Sequence, residues 1–434
     1  MTNLSDVQPV SKPENSIVPM VIIGLLFFMF GFVTWLNGSL IPFLKVICDL
    51  TELQALFVTS AFYIAYTVMA LPMAIVLKTT GYRNGMALGL AIMVVGSLAF
   101  IPAALSASYA MFLLALFILG TGLTILQTAS NPYVVLVGPK ESAAMRISFL
   151  GILNKGAGVI VPLVFTALIL SDLGDTSETA LEALSDAETQ ALSERLIMPY
   201  LYMAGALTFL IGFVRFSPLP HVEPDYTPAG SGGEDESILA YPQVILGAVT
   251  LFFYVGVEVI AGDTIGLYGQ GLGVEGATGL TSYTMGFMVV GYLIGIICIP
   301  RFISQQQALS ASAIVGMLCV FGVVFSSNEN STLAGIFLGW TGAPAMPDTV
   351  FFVALLGFAN ALVWPAVWPL ALDGLGKLTP QGSALLIMGI SGGAILPPLL
   401  GLFENMQVSY WICLPCYLFI LFYAVKGHRL RSWS

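Results

Sequence analysis

The sequence predicts an all-α membrane protein of twelve transmembrane helices arranged as two six-helix halves. Three observations lead there. Only 9% of the 434 residues are charged, against about 25% in a soluble domain. Apolar runs long enough to cross a bilayer, about 20 residues each, recur from Ile17 to Val425. A stretch loaded with polar groups also returns half a chain later. Leu119–Pro132 reads LGTGLTILQTASNP and Leu356–Pro369 reads LGFANALVWPAVWP, with Leu119/Leu356, Gly120/Gly357, Ala129/Ala366 and Pro132/Pro369 in register at an offset of 237.

The apolar runs fall at about residues 17–43, 53–77, 85–105, 109–137, 144–170, 198–216, 241–268, 279–300, 308–326, 348–372, 382–403 and 408–426. Continuous runs of this length are too long for strands and read as helices. Before the first lies the polar stretch Met1–Ser16, and the run after it is too long for a signal-peptide core, so the expectation is a cytoplasmic tail. Between runs six and seven, Pro218–Ser237 is rich in Pro, Gly and acids and reads as a linker. The organisation expected is a tail (1–16), a first bundle (17–217), a linker (218–240), a second bundle (241–426) and a tail (427–434). The first helices of the two halves echo each other as well. Leu26–Gly38 (LFFMFGFVTWLNG) aligns with Leu251–Asp263 (LFFYVGVEVIAGD) at an offset of 225, pairing Gly31 with Gly256. Two ordered echoes point to parallel repeats with a site between the halves.

Lysine and arginine set the topology. With both termini inside, cytoplasmic segments carry Lys12, Lys78, Arg83, Lys140, Arg146, Arg215, Arg301, Lys377, Lys426, Arg429 and Arg431; external segments carry Lys45 and Arg195. That is a strong positive-inside bias. The formal charge of −10 comes largely from one loop at 172–195 and from the linker. Within that loop, Ser185-Asp-Ala-Glu188 fits a capping box and predicts a short surface helix. Lys78–Gly85 (KTTGYRNG) reads as the cytoplasmic turn between helices 2 and 3. Nothing is basic enough for nucleic acid. The five cysteines lie in or beside spans and read as small packing residues. An enzyme is not expected, since both histidines, His221 and His428, lie outside the spans and no nucleophile–base or metal-cluster spacing occurs.

Several motifs resemble the fucose–galactose–glucose:cation symporter branch of the major facilitator superfamily. They are FFMFGFVTWLNGSLIPFLK in helix 1, SAFYIAYTVMALPMAIVLKTTGYRNG across helices 2 and 3, LQTASNPYVVLVGP in helix 4 and WPLALDGLGKLTPQGSALLIMGISGGAILPPLLG in the second half. YVGVEVIAGDTI and NKGAG resemble the glucose/galactose transporters more than the fucose permeases. The resemblance implies the major facilitator fold and hexose transport in a bacterial inner membrane. It also exposes a departure. Where fucose permeases carry an Asp in helix 1 and a Glu in helix 4, both linked to proton coupling, this chain has Gly38 and Gln127.

A coupled transporter must then keep its charge elsewhere. A charge at mid-bilayer costs about 2.5–3.5 kcal/mol even on the lenient insertion scale, so the ionisable residues inside spans are candidates: Lys155 in helix 5, and Glu258 and Asp263 in helix 7. One cation and two carboxylates leave a negative charge that a bound cation would neutralise. In an ideal helix Glu258 and Asp263 point about 140° apart, so both face one cavity only if helix 7 bends near Gly262. Carbonyls freed there, with Glu258, Asp263 and the Thr264 hydroxyl, would suit Na⁺. A structural pairing of one acid with Lys155 is the alternative. For sugar hydroxyls the candidates are the amides of Asn37, Gln127, Asn131, Asn154 and Asn360. For sugar rings they are Trp35, Trp364 and Trp368, with Trp364 at the position that echoes Gln127. Interhelical hydrogen bonding competes with ligand contact for each. The expectation is cation symport of glucose or galactose by alternating access, as a monomer without a cofactor, with Na⁺ favoured over H⁺. The alternatives are a uniporter or H⁺ symporter for another sugar, and a sugar receptor that does not transport.

Overall fold

The computed structural model describes residues 17–136, 143–169, 184–217, 237–299, 301–375 and 378–433. Among these, eleven helices are long and apolar enough to cross a membrane. One further crossing, the eleventh in chain order, runs Thr379–Met388 and Gly392–Leu400 and is divided by the 3-10 turn Gly389–Ser391. Side chains such as Phe209, Leu168, Ile297 and Leu318 stand exposed on the outer surface. That arrangement is favourable only if hydrocarbon surrounds it.

Several spans are interrupted beside residues singled out above. The first runs Ile17–Trp35 and resumes at Asn37–Ile47. The seventh runs Pro242–Asp263 and resumes at Ile265–Gly271. The tenth runs Asp348–Asn360 and resumes at Val363–Leu372. The eleventh breaks at Gly389–Ser391. Broken helices are tolerated at membrane depth only where neighbouring groups or a cavity satisfy the freed backbone. The second and third spans lie within Glu52–Ser106, where Gly81 takes φ 72° and turns the chain. A left-handed φ there is open to glycine at no steric cost. Lys78's side chain lies outside the described part.

The short helix expected near Ser185 is present at Asp186–Glu194. The Ser185 backbone N–H donates to Glu188 Oε2 at 2.9 Å. Gln190 Nε2 and Ser193 Oγ donate to the Ala104 carbonyl at 3.3 and 2.9 Å, closing the end of the third span. Residues 170–183 of that loop and 218–236 of the linker lie outside the described residues.

The two halves repeat their packing as well as their sequence. A Cβ on Gly120 would collide with the Phe62 carbonyl of the second span, and one on Gly357 with the Thr284 carbonyl of the eighth (Thr281–Cys298). In each half, then, the echoed glycine lets the fourth helix cross the second at backbone contact. Gly31 lies against Asn154 of the fifth span (Ala143–Ile169), and Gly256 lies against Leu396 of the eleventh. That is again one relationship used twice, which is why these glycines survive at both offsets.

Candidate functional site

The site forms where the halves meet, and the seventh span supplies its centre. Glu258 and Tyr254 are one turn apart on that helix, and neighbours at this spacing face the same way. Tyr254 Oη donates to Glu258 Oε1 at 2.7 Å. From the other half, Lys155 Nζ donates to the same oxygen at 2.7 Å. The pair is almost sealed, each side chain retaining 9% exposure. Trp35 completes the contact, with Lys155 Nζ lying 4.1 Å above its ring. The Trp35 ring is wedged between Gly158 of the fifth span and Gly262 of the seventh, either of which would meet it if it carried a Cβ. Its Nε1 donates to Asn154 Oδ1 at 3.2 Å. One ion pair and one indole therefore join the two bundles in low dielectric, where both are stronger than in water.

Asp263 behaves differently. It is fully buried, and both carboxyl oxygens lack a hydrogen-bond partner among the described residues. The seventh helix remains regular as far as Asp263 and breaks at Thr264 rather than at Gly262. The two acids lie within electrostatic reach of each other and of Lys155, but only Glu258 is in direct contact with the lysine. The carbonyls near the break are engaged: Thr281 Oγ1 donates to the Gly262 carbonyl at 2.7 Å, Thr284 Oγ1 to Ala261 at 2.9 Å, and Thr264 Oγ1 to Ile260 at 2.6 Å. Asn37, on the first span, is also buried with both amide atoms unpartnered. Two orphaned polar groups in one interface are a costly arrangement, and such groups mark functional positions in membrane spans.

Of the other residues anticipated from the sequence, Gln127 is half-buried and donates to Tyr66 Oη at 2.8 Å. Tyr66 stacks on Tyr63, ring centres 6.2 Å apart and planes 25° apart. Tyr63 packs on Gly393 of the eleventh span, across the divide, and lies within electrostatic reach of Asp263 and Glu258. Asn154 is half-buried and serves Trp35. Trp364 is half-buried, 6.2 Å from the ring of Tyr254 and 5.5 Å from that of Trp368, so an aromatic wall leads away from Glu258. Asn360 is placed inside the second bundle, where its Oδ1 accepts from Tyr417 Oη at 2.8 Å. The Asn131 side chain lies outside the described part. Sequence reasoning missed Tyr254, Tyr63 and Tyr66. The i, i+4 spacing of Tyr254 to Glu258 was the available signal for the first.

At the end opposite the termini the halves are in tight contact. Ser39 Oγ donates to the Thr278 carbonyl at 2.6 Å, Thr166 and Thr278 hydroxyls lie 2.7 Å apart, and Ser60 Oγ donates to the Ala394 carbonyl at 2.6 Å. Gly38 stands directly against Thr281 and the Gly262 carbonyl. No side chain fits between them.

Two pseudo-symmetric helical bundles with a buried charged seam between them define a membrane transporter of the two-half kind. The Major Facilitator Superfamily model matches residues 23–398. The glucose/galactose transporter of Brucella abortus is 33% identical over 427 residues, covering 96% of each chain. The L-fucose-proton symporter of Escherichia coli is 27% identical over 97% of this chain and 94% of its own. Among solved structures, the transporter FucP in an outward conformation superposes with TM-score 0.70 at 25% identity, covering 94% of this chain and 98% of that one. The xylose transporter XylE, inward open, shares the fold with TM-score 0.66 at 13% identity, covering 97% and 98%. The chain belongs to the Major Facilitator Superfamily, in its fucose–galactose–glucose symporter branch, and is a multi-pass membrane sugar transporter.

Proposed function

We propose that the protein imports glucose or galactose across a bacterial inner membrane by cation symport, as a monomer with both termini in the cytoplasm. The glucose/galactose relatives support the sugar. The positive-inside pattern supports the orientation, which makes the tight seam of Gly38, Ser39, Thr278 and Thr281 the outer gate. The observation that carries the coupling is the difference between the two acids of the seventh span: Glu258 is paired with Lys155 of the other half, while Asp263 has no hydrogen-bond partner among the described residues. A buried carboxyl without a partner is compatible with its surroundings in two states, carrying a proton or holding a cation. Na⁺ needs several oxygens around it, and the carbonyls beside Asp263 are already bonded to threonines. A proton needs only the carboxyl. The reading is therefore H⁺ symport through Asp263, which replaces the sequence's preference for Na⁺.

In this mechanism the outer gate opens, Asp263 reaches water and takes its ion, and sugar enters between the bundles. With the charge at Asp263 neutralised, the gate closes over a dry seam, and the halves part at the cytoplasmic end. Return requires the empty carrier to close in the same way, which the ion-free Asp263 resists. Uptake into vesicles of reconstituted protein, with pH and Na⁺ gradients imposed independently, tests this. Accumulation should follow the pH gradient. Asp263→Asn should abolish accumulation while sugar exchange continues. Accumulation that follows Na⁺ at fixed pH would return the coupling to Na⁺; accumulation in Asp263→Asn equal to wild type would remove Asp263 from it.

A further inference from the structure

The two carboxylates of the seventh span differ in a way that divides their work. Glu258 Oε1 accepts both the Lys155 ammonium and the Tyr254 hydroxyl. Glu258 Oε2 accepts no hydrogen bond among the described residues, and it is absent from the sealed, unpartnered atoms that include both oxygens of Asp263. The side chain keeps 9% of its surface open. One oxygen is thus held rigidly while the other remains available at the edge of the interface. The wall leading from it is aromatic: buried Tyr254, then half-buried Trp364 and Trp368, each ring tilted against the next.

A carboxylate oxygen is an acceptor only, and O–H···O⁻ bonds are among the stronger neutral-to-charged contacts. Flat aromatic faces bury C–H surface. Together they recognise a ring that presents hydroxyl donors along one edge and C–H groups on one face, which is the chemistry of a pyranose. We propose that Glu258 anchors the sugar through Oε2, and that Asp263 alone serves the coupling ion. This inference rests on the sugar-transport reading above. It assigns Glu258 away from the ion coupling that its charge alone suggests.

The geometry also gives the sugar a hold on the conformational change. Hydroxyls donating to Glu258 share its charge with Lys155, so the ion pair that joins the halves weakens as the sugar binds. Sugar affinity and the strength of the cross-half contact are then linked, each altering the other by the same factor.

The test is equilibrium binding of radiolabelled D-galactose and D-glucose to purified protein in detergent at fixed pH. Glu258→Gln should weaken both at least tenfold. That loss could also follow from leaving Lys155 unpaired, so a charge swap separates the two roles. In Lys155→Glu/Glu258→Lys the halves remain joined by an ion pair, but the carboxylate leaves the aromatic wall. Sugar binding should stay at least tenfold weak in the folded swap variant. Binding within twofold of wild type in either the swap or Glu258→Gln overturns the proposal. Should the swap variant fail to fold, monodeoxy-galactoses decide. In wild type, at least one missing hydroxyl should cost tenfold or more, because an acceptor is left unmet, and in Glu258→Gln that analogue and galactose should bind within threefold of each other. Discrimination retained at every position overturns the assignment. Wild-type protein that binds neither hexose refutes the sugar reading itself, a result distinct from all of these.

Discussion

Gly38→Ala should hold the transporter open at the end opposite the termini. An added Cβ would strike Thr281 Oγ1 and lie 2.9 Å from the Gly262 carbonyl oxygen and 3.1 Å from Thr281 Cβ. The hydroxyl can rotate away, but it then gives up its 2.7 Å bond to Gly262, worth about 0.5–1.5 kcal/mol net. The carbonyl belongs to a helix and cannot yield cheaply; overpacking of this kind costs about 1–3 kcal/mol. Together these come to about 1.5–4.5 kcal/mol against the closed seam. Alanine's better helix propensity, about 1 kcal/mol, acts equally on open and closed states and cancels. The gating equilibrium should shift by roughly tenfold or more, since about 1.4 kcal/mol corresponds to tenfold. Spin labels at Gln54 and Glu404, one in each half at that end, report it by double electron–electron resonance. The variant should show a longer principal distance than wild type, with sugar binding retained and uptake slowed at least tenfold. An unchanged distance distribution with uptake within twofold of wild type would refute the reasoning.

Gln127→Ala removes the bond to Tyr66 Oη and an amide from the polar face of the fourth span (Tyr109–Leu136). Hexose binding in detergent should fall about tenfold, the scale of a lost hydrogen bond that leaves its partner unmet; undiminished binding would place Gln127 in packing only. In a variant retaining Trp364 as its sole tryptophan, galactose should protect the fluorescence from collisional quenching, and quenching indifferent to sugar would assign that ring to the aromatic wall alone. Gly120→Ala and Gly357→Ala should each destabilise the protein by about 1–3 kcal/mol through the clashes with Phe62 and Thr284, read as a lower thermal midpoint in detergent, and equal midpoints would count against the repeated crossing.

Much was legible before any coordinates. Long apolar runs admit little but helices, since hydrocarbon leaves no other way to satisfy a backbone, so the spans were readable one by one. The echoed glycines at Gly31/Gly256 and Gly120/Gly357 betrayed the repeat because each sits where a neighbouring helix leaves no room for a side chain. Lys155, Glu258 and Asp263 stood out because charge in a span is expensive. Composition, the internal echoes and the positions of the charges thus determined a membrane protein, its two halves and its short roster of intramembrane charges.

The tertiary structure decided who meets whom. Nothing local in the chain says that Lys155 reaches Glu258 from 103 residues away, or that Tyr254 takes the same oxygen. Nothing says that Asp263, five residues on, is left without a partner, or that Asn360 turns into its own bundle toward Tyr417. Those outcomes depend on the packing of separate helices, and a helix exposes all its faces to some neighbour. Helical periodicity gives the direction of each side chain about its own axis. Which group waits there is decided only when the two bundles come together.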